Sequence, residues 1–567
     1  MRKTKVVLAK VLTAAMVISS FAGVQGITSE AAAKPKLSKK SVSITVGKTK
    51  KITIKNAKKY KVSWKMKSKK VASFKKSGKY AVKVTAKKAG KTTLTATIKK
   101  GKKTKKLVCK ITVKKNSPKV TKTPVNTPTT SPSNVPKTTE VPTVKPTATA
   151  TAEPQDTTPA MKEIFKGVID NVGTCLTYNQ TWNNRKEMQD ASTMEFVDKH
   201  FNSFTLENEM KPDNMLNKKT TISVADAKAK GYVISDDYKE STVPELTLET
   251  IDGVLAIAKQ HNIRMRAHTL MWHQQTPTWF FKKNYDDNEA VVDEATMNAR
   301  LEFFVRTVMR YTMQKEKELT GEVGSIVYAW DVLNEYIHRS NAAAATTWVS
   351  VYGDMGLKPT YVKAAFEYAY DELKKENVQD KVTLFYNDYD TYFSVDDELA
   401  LISYINEGEE AKICGGIGMQ SHVDIKRPTL EEYGNALKAF INAGLEVQIT
   451  ELDITINFDT DDTDGRTPTY AYKNEKETDA DQAAFTKDFI KQIVDIQKNR
   501  DKTISPKGIT GITVWGISDQ TSWRGSCKPL FFTRKSVRVK DETTGKYKTV
   551  YSYVPKKSYE AMIEALK

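Results

Sequence analysis

From residue 161 onward the chain repeats one pattern eight times: a short apolar run, then a stretch whose apolar residues recur at helical spacing. The runs read as strands at Gly167–Cys175, Phe201–Glu207, Ile263–Met271, Ile326–Asn334, Val382–Asn387, Gly416–Ser421, Val447–Glu451 and Ile509–Ile517. Between them, Val362, Phe366, Ala369 and Leu373 share one helical face, as do Phe485, Phe489, Ile493 and Ile496. Apolar runs without strict alternation are strands buried on both faces, and strands separated by helices pair in parallel. Eight such units predict an α/β fold, a (β/α)8 TIM barrel over 161–567 rather than an open sheet.

A barrel gathers its chemistry at the carboxyl ends of its strands. Polar clusters stand at those ends here: Glu207 and Asn208 on the second strand, and His268 with Trp272, His273 and Gln274 on the third. Asn334 and Glu335 follow on the fourth, Asn387, Asp388 and Tyr389 on the fifth, and Gln420, Ser421 and His422 on the sixth. Glu451 ends the seventh and Trp515 the eighth, with Trp523 and Arg524 just beyond. A carboxylate at the end of a buried strand loses hydration, so two of them, Glu335 and Glu451, call for a chemical reason. An opposed pair, one donating a proton and the other attacking or stabilising a cation, is the machinery of glycosidic bond cleavage. Metal catalysis is not expected, because His268 and His273 are five residues apart and the chain has neither an HExxH motif nor a CxxC pair. Asp331 and Asp388 read as hydrogen-bonded supports. No cofactor is expected, since two carboxylates suffice for this reaction.

The first 160 residues differ in composition. Arg2, Lys3, Lys5 and Lys10 precede the apolar stretch Val11–Phe21, and small residues follow at Ala31–Ala33, so 1–33 reads as a secretory signal peptide. The apolar stretch is too short for a spanning helix, which predicts cleavage and a secreted chain without stable membrane insertion. Residues 34–115 contain 31 lysines and no acidic residue, against a whole-chain charge of +23; 161–567 carry −12. Alternating apolar positions such as Val42, Ile44 and Val46, or Leu94, Ala96 and Ile98, predict a small antiparallel sandwich there. Its lysines read either as a solubilising surface or as attachment to a polyanion, an anionic cell-wall polymer or an acidic polysaccharide. Nucleic acid is not expected of a secreted chain. Residues 116–160 hold nine prolines among Thr, Ser and Val, a linker that cannot bury a core. The cysteines, Cys109, Cys175, Cys414 and Cys527, read as buried free thiols.

The segments FTLENEMKPD (204–213), RAHTLMWHQQTP (266–277), WDVLNE (330–335), GIGMQSH (416–422), ITELD (449–453) and TVWGISD (513–519) closely resemble glycoside hydrolase family 10, the retaining endo-β-1,4-xylanases. The likeness covers essentially all of 161–567. It implies that Glu335 is the acid/base and Glu451 the nucleophile, with His422 holding Glu451 and Asp453 behind His422. It also implies that Asn334 bonds the 2-hydroxyl of the reacting sugar, and that Glu207, Asn208 and Lys211 grip the non-reducing side. His268, Trp272, Gln274, Tyr389 and Gln420 would line the inner shell, with Trp515 and Trp523 packing against sugar rings. Xylan and xylo-oligosaccharides are the implied substrates. A β-1,4-glucanase on the same barrel and a non-catalytic polysaccharide-binding protein are the rival readings. Residues 34–115, through LSKKSVSITVG (37–47) and KKAG (87–90), resemble a bacterial immunoglobulin-like group 2 domain. Asp390 departs from the family's more usual asparagine. Long tracts at 217–250 and 455–480 and a hairpin expected over Val537–Val554 are additions around the cleft.

Overall fold

The computed structural model describes residues 35–39, 41–46, 48–55, 57, 60–100, 103–114, 158–180, 185–339, 341–457, 477–540 and 545–567. The expected signal at 1–33, nearly all of the 116–160 linker and most of the 455–480 tract lie outside these residues. The chain divides into two compact units, residues 1–147 and 148–567.

In the first unit, β1 (Lys36–Leu37), β3 (Thr49–Lys55), β6 (Ala81–Ala86) and β5 (Ala72–Gly78) form one sheet in the order β1-β3-β6-β5. The other sheet runs β2 (Ser41–Thr45), β8 (Lys103–Lys114), β7 (Gly90–Lys100) and β4 (Lys61–Met66). Period-two alternation turns Ile52, Val82, Val84, Leu94, Cys109 and Ile111 into a shared core while the lysines stay outside. One pairing differs from an all-antiparallel expectation: β2 lies parallel to β8, because the chain reaches its last strand in the direction in which it entered.

The second unit is a closed ring of eight parallel strands. In chain order these are β9 (Asn171–Leu176) and β10 (Ser203–Leu206), then, after the small hairpin β11 (Thr221–Ser223) and β12 (Thr242–Pro244), β13 (Arg264–Trp272), β14 (Val327–Asn334) and β15 (Thr383–Asp388). The ring continues through β16 (Gly416–Met419), β18 (Glu446–Thr455) and β19 (Ile509–Val514), with the short β17 (His422–Asp424) pairing beside β18. β19 pairs back onto β9, and β16 pairs with β18, which closes the barrel. β20 (Phe532–Lys540) and β21 (Tyr547–Pro555) make the expected late hairpin.

All eight strands fall where the apolar runs placed them, with displaced ends. The first begins at Asn171, because Gly167 turns with φ 78° after the preceding helical turn. The sixth stops at Met419, because Ser421 adopts φ 59° and sends the chain off to form β17. The tract at 217–250 is not a bare loop: β11, β12 and the helix Val224–Ala229 occupy it, the helix capped by Ser223. The barrel interior is polar at its centre. Arg266, 1% exposed, donates from Nη1 to Gln448 Oε1 at 2.8 Å, pairs with Asp331, and stacks 4.3 Å from the Phe385 ring centroid. Gly418 makes room for this layer, since a Cβ there would lie 2.8 Å from Arg266 Nη2 and collide with Asn387 Oδ1. All four cysteines are buried and free. Among the described residues no helix is long and apolar enough to cross a membrane.

Candidate active site

Glu335 directly follows β14 and adopts φ 57°, a left-handed conformation that a residue with a side chain rarely takes. Its N–H donates to Asn387 O on the neighbouring strand at 2.9 Å, and the N–H of Glu451 likewise donates to Gln420 O at 2.9 Å. Adjacent barrel strands therefore fix both backbones, and side-chain networks fix both carboxylates.

Glu335 accepts from Trp272 Nε1 at 2.8 Å and Gln274 Nε2 at 3.3 Å on one oxygen, and from Gln420 Nε2 at 3.1 Å on the other. Burial pushes its pKa up to about 7, helped by the charges of Asp388 and Glu451 and opposed by the Gln420 and Trp272 donors. Glu451 accepts from Asn387 Nδ2 at 3.0 Å and lies 3.2 Å from His422 Nε2. Burial disfavours its charge too, but the His422 hydrogen bond and the positive charges of His268, His422 and Lys211 outweigh burial and draw its pKa down to about 2. At pH between these values one carboxyl carries a proton and the other is ionised. Two like groups driven apart in this way are matched to the two halves of acid–base plus nucleophilic chemistry.

The support behind Glu451 is continuous. His422 Nδ1 meets Asp453 Oδ2 at 2.9 Å; that oxygen also accepts from Trp523 Nε1 at 3.0 Å, and Oδ1 accepts from Arg524 Nη1 at 3.2 Å. Although burial works against a charged imidazole, Asp453 holds the His422 pKa above its ordinary value. The two carboxyl networks meet at Asn387, which is fully buried. Its Nδ2 donates both to Glu451 and to Asn334 Oδ1 at 2.8 Å, while its Oδ1 accepts from Thr450 Oγ1 at 2.6 Å, fixing which way the amide faces. Gln420 Nε2 also approaches Asn334 Oδ1, at 3.4 Å.

The flanking groups sit around this centre. Lys211 Nζ lies 4.8 Å from the Trp272 ring centroid and 6.0 Å from that of Trp515. His268 bonds Asp331 Oδ2 through Nδ1 at 2.9 Å and meets Trp515 edge-on at 6.0 Å. Glu207 accepts from Arg185 Nη1 at 2.7 Å and Gln180 Nε2 at 3.0 Å, and Asn208 Oδ1 from Gln275 at 3.3 Å. Trp515 is buried, whereas Trp523 is 46% exposed with its ring 4.9 Å from that of His422. The Tyr389 ring lies tilted against that of His338, centroids 4.6 Å apart, and its hydroxyl donates to His338 O at 3.1 Å, so the hydroxyl is engaged with protein.

Three groups of metal-ligand type, His338, Asp388 and Glu398, also come within 4.8 Å of one another. Asp388 already accepts from Ile337 N at 3.2 Å, His338 Nδ1 at 3.1 Å, Tyr389 N at 2.8 Å and the Tyr386 hydroxyl, which fills its acceptor positions. Burial, with the charge of Asp388 beside it, pushes the Glu398 carboxyl well above its usual range. Through Ile337 N and His338, Asp388 braces the loop after Glu335.

Sequence reasoning gave Asn387, Arg185 and Arg524 no role. Asn387 and Arg524 belong to the strand-end clusters named from the sequence, and a polar amide inside an apolar strand end is the signal that marks Asn387. Arg185 lies in a loop without a motif, and only the folded chain brings it to Glu207.

A family profile described as glycosyl hydrolase family 10 matches residues 160–551. An "Endo-1,4-beta-xylanase A" from Butyrivibrio fibrisolvens is 41% identical over 352 residues, covering 62% of this chain and 76% of that protein. An "Endo-1,4-beta-xylanase B" from the same organism is 32% identical over 344 residues, covering 59% of this chain and 46% of that protein. A solved structure of the CBM22-1–GH10 modules of Clostridium thermocellum endo-1,4-beta-D-xylanase 10B, complexed with xylohexaose, aligns with a TM-score of 0.50 at 27% identity, over 72% of this chain and 68% of that one.

Proposed function

The chain belongs to glycosyl hydrolase family 10, and from that premise we propose how it works as an endo-1,4-β-xylanase, hydrolysing internal bonds of xylan by double displacement with retention. The observation that carries the reading is the pair of buried carboxyls with pKa values near 7 and near 2, joined through Asn387, Asn334 and Gln420. Glu335 donates its proton to the leaving glycosidic oxygen while ionised Glu451 attacks the anomeric carbon. The resulting glycosyl ester is hydrolysed when Glu335, now a base, takes a proton from water. Asn334 has its Oδ1 engaged by Asn387 and Gln420, so its Nδ2 is the donor offered to the 2-hydroxyl, a contact that tightens as positive charge develops on the sugar ring. His422, backed by Asp453, keeps Glu451 ionised, and Trp523 lies over the sugar being cleaved. Glu207, Asn208 and Lys211 hold the non-reducing side, and His268, Trp272, Gln274 and Trp515 line the inner cleft. Tyr389 contributes its ring, its hydroxyl being occupied.

The protein is secreted through its first 33 residues, and the lysine-rich immunoglobulin-like segment at 34–115, tethered by the proline-rich 116–160 tract, docks the enzyme on an anionic polymer. Reducing-sugar release tests the assignment. Rapid release from xylan with little from carboxymethylcellulose is expected; comparable release from both would make the enzyme a mixed β-1,4-glycanase, and release from neither a binding protein.

A further inference from the structure

The barrel cleft leaves unexplained the most lopsided part of the chain, the 31 lysines at 34–115 without a single carboxylate among them. A charged surface made only for solubility mixes signs, because like charges repel and weaken the folded state. Here the sheet register places like charges directly opposite one another. On the outer face of the β1-β3-β6-β5 sheet, Lys51 faces Lys83, which in turn faces Lys75, and Lys36 faces Lys55. All five are exposed. Adjacent strands lie about 4.8 Å apart and residues along one strand about 3.4 Å apart, so the five lysines share a patch about 14 Å along each side and about 20 Å corner to corner. Cross-strand pairs of like charge destabilise a sheet unless an anion lies between them. The other sheet is less concentrated: on its outer face Lys61 faces Lys99, but Lys65 faces Thr95, Lys106 faces Thr97, and Lys110 stands between Thr93 and Ser41, so no three lysines line up across neighbouring strands there.

Two further features define the partner. Tyr60, Trp64, Phe74 and Tyr80 all pack against the unit's apolar clusters. They are half-buried, and none stands fully exposed as a platform on which sugar rings stack. The cationic residues are all lysine with no arginine. Arginine offers a planar fork that grips a carboxylate or a phosphate in two-pronged fashion, whereas lysine binds phosphate as a point charge that needs proximity but no planar match. A row of point charges at strand spacing suits an anion that recurs at every unit of a polymer rather than a uronate carried on occasional side branches.

We propose that the outer face of the β1-β3-β6-β5 sheet binds a polymer bearing one phosphodiester per repeat, through Lys36, Lys51, Lys55, Lys75 and Lys83. This deepens, and rests on, the docking of the basic segment to an anionic polymer. The cleft works on xylan while this sheet holds the enzyme to a phosphate polymer.

The test uses the full chain and its K51Q/K75Q/K83Q variant, with immobilised poly(glycerol phosphate) and immobilised glucuronoxylan as probes. Affinity for a polyphosphate falls with salt by about 0.7 in log–log slope per phosphate contacted, so removing three contacts lowers the slope by about 2 between about 50 and 200 mM salt. The variant is expected to lose retention on poly(glycerol phosphate) with that change in slope, while its retention on glucuronoxylan and its xylan hydrolysis stay at wild-type level. Unchanged retention on the phosphate polymer, with xylan hydrolysis intact, overturns the inference and leaves the xylanase assignment standing. Loss on glucuronoxylan instead assigns the face to carboxylates and overturns the phosphate reading alone. A K65Q/K106Q/K110Q control that loses as much as the first variant overturns the choice of face.

Discussion

The Trp272→Phe substitution tests the electrostatic logic of the cleft, because it deletes one identified donor and preserves an aromatic ring. Trp272 Nε1 donates to Glu335 Oε2 at 2.8 Å, and the Gln274 and Gln420 donors remain after its removal. A hydrogen bond to an ionised carboxylate is about twice as strong as one to a neutral carboxyl, a difference of about 1 kcal/mol. Deleting the donor therefore penalises the ionised form of Glu335 by about that amount, which raises its pKa by roughly 0.7. In the proposed mechanism Glu335 acts when protonated, so activity should be lost as pH rises through its pKa, near 7 in the wild type. The alkaline limb should move to higher pH by well over half a unit. The acid limb, set by Glu451 near 2, should not move. The assay is kcat/KM on xylo-oligosaccharide against pH at constant ionic strength, because this quantity reports the free enzyme. The limb position is independent of any fall in activity caused by lost ring contacts. An alkaline limb that stays in place, or shifts to lower pH, would refute the account of how Glu335 is tuned.

Other perturbations have equally definite outcomes. Glu335→Gln should cut turnover of xylan by several orders of magnitude but spare the first step on aryl xylosides whose leaving groups need no proton, seen as a burst followed by slow turnover. Gly418→Ala puts a methyl group against Asn387 Oδ1 and 2.8 Å from Arg266 Nη2. Overpacking of this kind costs about 1–3 kcal/mol, so the melting temperature should drop, and displacement of Asn387 should lower kcat more than it changes KM. A Gly418→Ala variant with normal stability and normal kcat would remove Asn387 from the account. Thiol titration should find four unreactive cysteines in the native protein and four reactive ones after denaturation; fewer in the second case would reveal a bridge.

Much of this molecule can be read from its sequence because buried parallel strands need continuous apolar runs and because barrel chemistry is confined to strand ends. That rule pointed to Glu335, Glu451 and His422 as candidates before any contact was known, and the family resemblance added Asp453 behind His422. It could not give the strand ends, which depend on single backbone choices such as the left-handed Ser421 that breaks off β16. Nor could it assign Asn387. The amide gains its role by touching Asn334 on the adjacent β14 and Thr450 and Glu451 on β18, two strands away on its other side. Arg185 is a loop residue whose partner Glu207 lies 22 positions away. The lysine rows at 34–115 illustrate the same limit: composition gave the charge, but only register shows that Lys51, Lys83 and Lys75 stand in line.

The central claim is that Glu451 forms a covalent bond to the sugar. A 2-deoxy-2-fluoro xylobioside with an activated leaving group slows both steps, but the second more than the first, so the intermediate accumulates. Intact-protein mass spectrometry should then show one added xylobiosyl unit, and peptide mapping should place it on Glu451. A label on any other residue, or no label in an enzyme that consumes the reagent, would contradict the double displacement and the roles assigned to both glutamates.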